Sequence, residues 1–197
     1  MEAPSLASHK KKARRLKAHL VFLDESGFLL IPNVRRTWAP RGETPVVHHR
    51  YRRDKVSAIS VVSVSPQRQR LGLYMHFYQD NLTNSEVAIF LRDLLRHLRG
   101  QVVLLWDSGS IHKGDEVEQV LQDHPRLHCE RFPGYAPELN PDEWVWRHLK
   151  HELGNGRPDD LEELLEELCR LTNEARKRKD LMVSFVTASK LPSFLCL

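Results

Sequence analysis

Residues 55–64, Lys-Val-Ser-Ala-Ile-Ser-Val-Val-Ser-Val, constrain the fold more than any other stretch. The run alternates, is rich in β-branched residues and holds neither glycine nor proline. It is therefore a strand, because branched side chains lose rotamer freedom in a helix and pack well on a pleated surface. Leu71 to Tyr78 repeats the pattern, with Ser65-Pro66 and the polar residues after it as the turn. The apolar run His19 to Asp24 (HLVFLD) precedes both and reads as a buried strand. Three successive strands make a sheet that needs cover, and the later segments supply it.

Thr83 or Asn84 caps a helix, with Glu86 placed for a capping box. Val87, Phe90, Leu91, Leu94, Leu95 and Leu98 recur along it at helical spacing, and Gly100 ends it. Val102 to Trp106 is an apolar strand ending in Asp107. A short helix follows from Gly114 to Asp123, then a strand from His128 to Phe132. Asn140-Pro141 opens a helix to Leu153, Gly154 to Pro158 breaks it, and Asp159 or Asp160 starts an amphipathic helix to about Lys179. The order β-β-β-α-β-α-β-α-α predicts an α/β domain, a mixed five-stranded sheet flanked by helices. The expected boundaries are a flexible basic arm at 1–17, the domain at 18–187 and a tail at 188–197.

The 197 residues suit one domain, and 41% hydrophobic with 28% charged residues is a globular balance. No apolar run approaches the roughly 18 residues that span a bilayer. The three cysteines form no CxxC, and no signal peptide is evident, so a reducing cytoplasm is expected. The net charge of +4 is unevenly placed. Residues 1–17 carry six basic side chains (Lys10, Lys11, Lys12, Arg14, Arg15, Lys17) against Glu2, and residues 35–55 hold seven basic residues and two acids. Set against totals of 30 basic and 26 acidic residues, residues 18–197 taken whole hold 24 basic and 25 acidic residues and are near neutral. A solvated tail accounts for this, and so does a polyanion partner.

Two acids, Asp24 and Asp107, end apolar strands. A partly desolvated carboxylate there needs a donor, a cation or a metal, and sites in open sheets gather at the carboxyl ends of strands. Each acid alone reads equally as a loop cap. Glu143 stands three residues after Asn140, as in a capping box with Pro141 at the favoured first position. Glu143, Arg147 and Lys150 share one helix face, while Trp146, Leu149 and Leu153 form a face suited to the sheet. Three carboxylates can hold two hard divalent cations, and Mg²⁺ fits a set that leaves positions open for water and phosphate.

The segments LDESGF (23–28), RRTWAPRGETP (35–45), LLWDSGSIHKG (104–114) and GYAPELNPDEWVWRHLK (134–150) resemble the DDE transposase domain of the IS630 family, within the Tc1/mariner superfamily. The likeness runs in order from about residue 19 to 187, and the 35 residues between Asp107 and Glu143 are close to that superfamily's spacing. The resemblance implies an RNase H-like fold and a triad of Asp24, Asp107 and Glu143 holding two Mg²⁺ or Mn²⁺ ions. It also implies cut-and-paste DNA transposition through strand cleavage and strand transfer, with double-stranded DNA and a second copy of the chain as partners. Arg35, Arg36, Arg41, Arg147, Lys150, His112 and the basic residues of 10–17 are the expected phosphate contacts. Two positions depart from the family pattern, Ser108 after the second Asp and Asp142 before the Glu, where Asp142 is expected to compete for metal or alter the local charge. About 20 residues precede the first strand, where such enzymes carry helix-turn-helix modules, so a separately encoded module is a further expected partner.

Trp38, Trp144 and Trp146 are expected to pack. His124, His128 and Cys129 lack the second pair that a zinc finger needs. The rival to an enzyme is a remnant of such a domain that binds DNA or a partner without cutting.

Overall fold

The computed structural model describes residues 6–31, 36, 38–44, 46, 54–132, 137–154 and 158–189. Among these residues five strands form one sheet: β1 (His19–Leu29), β2 (Lys55–Val64), β3 (Leu71–Tyr78), β4 (Val102–Trp106) and β5 (Leu127–Arg131). Their spatial order is β3-β2-β1-β4-β5. The β1–β2 and β2–β3 pairs are antiparallel, while β1–β4 and β4–β5 are parallel. Among the described residues, six α-helices accompany the sheet: α1 (Leu6–Arg15), α2 (Asn84–His97), α3 (Asp115–Asp123), α4 (Pro141–Glu152), α5 (Leu161–Lys177) and α6 (Lys179–Ala188).

Strand alternation divides the core in two. Leu20 and Phe22 of β1 join Val62 of β2 and Leu105 of β4 under Val145, Leu149, Leu164 and Phe185 of α4 to α6. Val21 and Leu23 join Ile59, Leu104 and Trp106 under Phe90, Leu91 and Val117 of α2 and α3. Consecutive β1 residues therefore serve opposite layers. The capping box expected for α2 forms: Thr83 accepts from the helix backbone while its own N–H donates to Glu86 at 2.8 Å.

Two sequence expectations need correction here. The flexible arm is instead helical over Leu6–Arg15, and its Ala13 is buried in the same core layer as α4. Lys12 Nζ meets Glu130 of β5 at 2.6 Å, and His9 lies 3.5 Å from the same carboxylate. The signal was present, because His9, Ala13 and Leu16 stand at i, i+4 and i+7. In addition, β1 does not stop at Asp24. It runs to Leu29, because Asp24 to Leu29 continue the ladder with Ser60 to Lys55.

Asp142, expected as a competitor for metal, is 0% exposed. Ser60 Oγ donates to its Oδ1 at 2.7 Å and the Val62 N–H to its Oδ2 at 3.1 Å, so this side chain fastens α4 to β2. Burial holds its pKa well above the ordinary carboxylate value, against the Ser60 hydrogen bond. Asp142→Ala strands two buried donors and should cost about 2–4 kcal/mol. Asp142→Asn keeps the shape and an acceptor, and should cost less than about 1 kcal/mol. Urea unfolding of both variants at neutral pH checks the difference; equal losses would show that the hydrogen bonds contribute little.

Candidate active site

Asp24 lies on the face of β1 that meets α4. The Trp146 indole N–H donates to its Oδ2 at 3.0 Å. Burial first, then the charges of Glu143 and Glu25, raise the Asp24 pKa to about 7, against that hydrogen bond. The Glu143 charge bears on Asp24 because α4 presents its first turn to the strand. Asn140 caps that turn, accepting from the Asp142 N–H at 3.1 Å, with Pro141 at the first position. The expected capping box is absent, and Glu143 is exposed rather than folded back on its cap.

The β1–β4 ladder ends at Phe22 opposite Leu105. Asp24, still within β1, and Asp107, just past the end of β4, each stand two residues beyond it. Past Trp106 the chain leaves the sheet and turns, and the Asp107 Oδ1 accepts from the Gly109 N–H at 2.7 Å. Glu143, Trp144, Trp146, Arg147 and Lys150 line one open cleft of about 600 Å³. Lys150 Nζ donates to Ser26 Oγ at 2.8 Å, and the Arg147 guanidinium lies 4.6 Å from the centre of the Trp144 ring.

The structure thus brings together Asp24, Glu143, Arg147 and Lys150, and sets Asp107 just past the end of the adjoining strand β4. Among the described residues, no three His, Cys, Asp or Glu side chains form a ready cation cage. His112, expected as a phosphate contact, is corrected. Its side chain is 4% exposed and both ring nitrogens face acids, Nε2 toward Glu25 at 2.9 Å and Nδ1 toward Asp107 Oδ1 at 3.1 Å. Trp38, expected to pack, is 99% exposed. Arg36 and Arg41 are exposed in the β1–β2 connection, at the sheet end beyond Asp24, and Arg35 lies outside the described residues. Of the cations at 10–17, Lys11, Arg14, Arg15 and Lys17 are exposed, Lys10 and Lys12 partly buried. Sequence reasoning missed Trp146 as a donor to Asp24, although it stands three residues after Glu143, and missed Glu25, whose partner is far away in the chain.

A family model described as DDE superfamily endonuclease matches residues 19–165, three quarters of the chain. The chain belongs to the DDE superfamily of endonucleases. No curated protein matches it. The fold of this DDE domain is RNase H-like and is shared with solved structures at low identity. It superposes on the catalytic domain of Mos1 mariner transposase with a TM-score of 0.54 and 15% identity, over 95% of this chain and 90% of that one. The Mos1 paired-end complex with Mg matches with a TM-score of 0.62 and 16% identity, over 93% of this chain and 57% of that one. The Mos1 strand transfer complex matches at 0.58 and 19%, over 95% and 59%. The DDE domain therefore spans about three fifths of the longer Mos1 chains it matches.

The carboxylates of this DDE domain suit a hard divalent cation. Asp24 is desolvated and lies within reach of the Glu143 charge, with the Trp146 indole and the Glu25 N–H as offset. A cation with oxygen ligands would offset both the desolvation and the repulsion.

Proposed function

We propose that this chain is the catalytic domain of a Tc1/mariner-type DNA transposase of the IS630 branch, cleaving DNA at the ends of an element and joining the freed 3′-hydroxyl to target DNA. The observation that carries the reading is the facing pair Asp24 and Glu143, beside the cationic face of α4 and one strand from Asp107, in a chain of the DDE superfamily. The matched Mos1 structures include complexes with transposon ends and with Mg or Mn.

Asp24, Asp107 and Glu143 are the residues that would hold two Mg²⁺ or Mn²⁺ ions. Bound divalent cations supply charge stabilisation at the attacking and leaving oxygens of a phosphodiester. The chain's own residues do the rest. Arg147 and Lys150, one and two helical turns beyond Glu143, neutralise phosphates entering the cleft, and Trp144 supports the guanidinium. Trp146 fixes the orientation of Asp24 through its indole N–H and closes the site from the core side. Arg36, Arg41 and the exposed α1 cations extend the phosphate track, which positions a duplex without reading its sequence. A second copy of the chain, a separately encoded helix-turn-helix segment and a nucleoid-associated place in the cytoplasm complete the proposal.

The test is nicking of duplex DNA by the purified chain. Cleavage in Mn²⁺ or Mg²⁺ that a chelator abolishes is the expected result. Tight DNA binding without cleavage in either metal would favour a binding remnant and overturn the catalytic reading.

A further inference from the structure

Glu25 and His112 belong to no part of the cation site described above, yet a short chain of contacts ties them to it. Glu25 follows Asp24 on β1, so strand alternation turns it to the opposite face of the sheet, where it stands across from Ile59 in the α2–α3 layer. There its Oε1 lies 2.9 Å from Nε2 of His112. The imidazole lies flat on the Trp106 indole, with centroids 4.5 Å apart and planes 7° from parallel. Its other nitrogen, Nδ1, lies 3.1 Å from Asp107 Oδ1 and 3.2 Å from the Asp107 carbonyl oxygen. Both ring nitrogens therefore face acceptors. Burial disfavours the charged ring, but the Glu25 hydrogen bond and charge, followed by Asp107, keep the His112 pKa above its ordinary value.

Asp107 needs such support. It sits past the end of β4 with its side chain 63% exposed, and a carboxylate on an exposed loop turns freely between rotamers. Its Oδ1 accepts from the Gly109 N–H and lies 3.1 Å from the His112 ring nitrogen, which also meets the Asp107 carbonyl oxygen. The turn is close-fitting as well: a Cβ built on Gly109 would meet that same oxygen at 2.9 Å. Among the described residues no donor reaches Oδ2, which stays free for a ligand.

We infer that Glu25 and His112 are positioning residues for Asp107, a chain running through the sheet from its far face, braced on Trp106, that fixes the orientation of the Asp107 carboxylate. The inference rests on reading Asp107 as a metal ligand. Partners behind a metal ligand typically account for 10–100-fold in affinity.

Calorimetric titration of the DNA-free chain with Mn²⁺ tests the inference, with thermal unfolding of every variant alongside. His112→Ala and Glu25→Ala are each expected to weaken Mn²⁺ binding about tenfold or more. His112→Asn places an amide nitrogen where Nδ1 stood but is too short to reach Glu25. It should recover most of the affinity, and adding Glu25→Ala to it should have no further effect. His112→Asn and His112→Ala proteins that bind equally poorly, or a Glu25→Ala protein that binds normally, would overturn the inference. Asp107→Asn separates the two levels. If it binds Mn²⁺ as the natural chain does, the ligand reading itself has failed. If it loses binding while His112→Ala and Glu25→Ala keep theirs, the ligand reading stands and the positioning chain falls.

Discussion

Glu143→Gln is expected to slow DNA nicking by about a thousandfold or more while leaving stability within about 0.5 kcal/mol. The side chain is exposed in the first turn of α4, outside both core layers and without a capping hydrogen bond, so its removal disturbs no packing. What it supplies is charge opposite Asp24. The amide keeps the shape and loses that charge, and a thousandfold corresponds to about 4 kcal/mol of barrier. Nicking rates of both proteins in Mn²⁺, with urea unfolding as the control, measure the effect. A Glu143→Gln protein that cuts at the normal rate would remove Glu143 from the site.

Asp24→Asn is expected to stop cleavage and, in metal-free buffer above pH 7, to make the protein more stable by up to about 4 kcal/mol. The sign follows from the raised pKa. In the unfolded chain Asp24 titrates near its ordinary 3.8, in the folded protein near 7. Between those values the folded state holds the proton more tightly, so its relative stabilisation is complete below about pH 4 and is lost as the pH rises to about 7. Asparagine does not titrate and still offers an oxygen to the Trp146 indole. The stability difference between the two proteins should therefore be small at pH 4, grow through pH 5 and 6, and level off above pH 7. Unfolding at several pH values is the check. A difference that ignores pH would mean that Asp24 ionises without penalty. The trade of stability for charge is what a functional carboxylate in a desolvated position is expected to show.

How much could be read from the chain alone depended on the range of the interactions. β2 and β3 were legible because alternation and β-branching are local, and the Thr83–Glu86 box because a cap spans four residues. Asp24 and Asp107 stood out because charge interrupts two apolar strands. β1 was read five residues short, since Asp-Glu-Ser-Gly carries no strand signal and extends only because β2 offers it a ladder. Asp142 was read as a competitor for metal at a helix start. Its burial depends on Ser60 and Val62, some eighty residues away. His112 was read as a phosphate contact for the same reason, because Glu25 lies far behind it in sequence. Trp38 was read as a packing residue from its type alone, and type does not say whether a core is within reach. For β1, Asp142 and His112 the deciding partner was distant in the chain.

The two central strands differ in length, and this shapes the site as much as its acids do. β4 ends at Trp106 while β1 continues to Leu29 beside β2, so from Leu23 onward a strand in the middle of the sheet is, among the described residues, paired on one side only. The notch exists because β4 is short. Extending β4 by one more pair of residues would fill the space that Asp107 leaves by turning away, even with all three acids intact. An insertion or deletion near Trp106 is therefore expected to damage the site more than most substitutions around it.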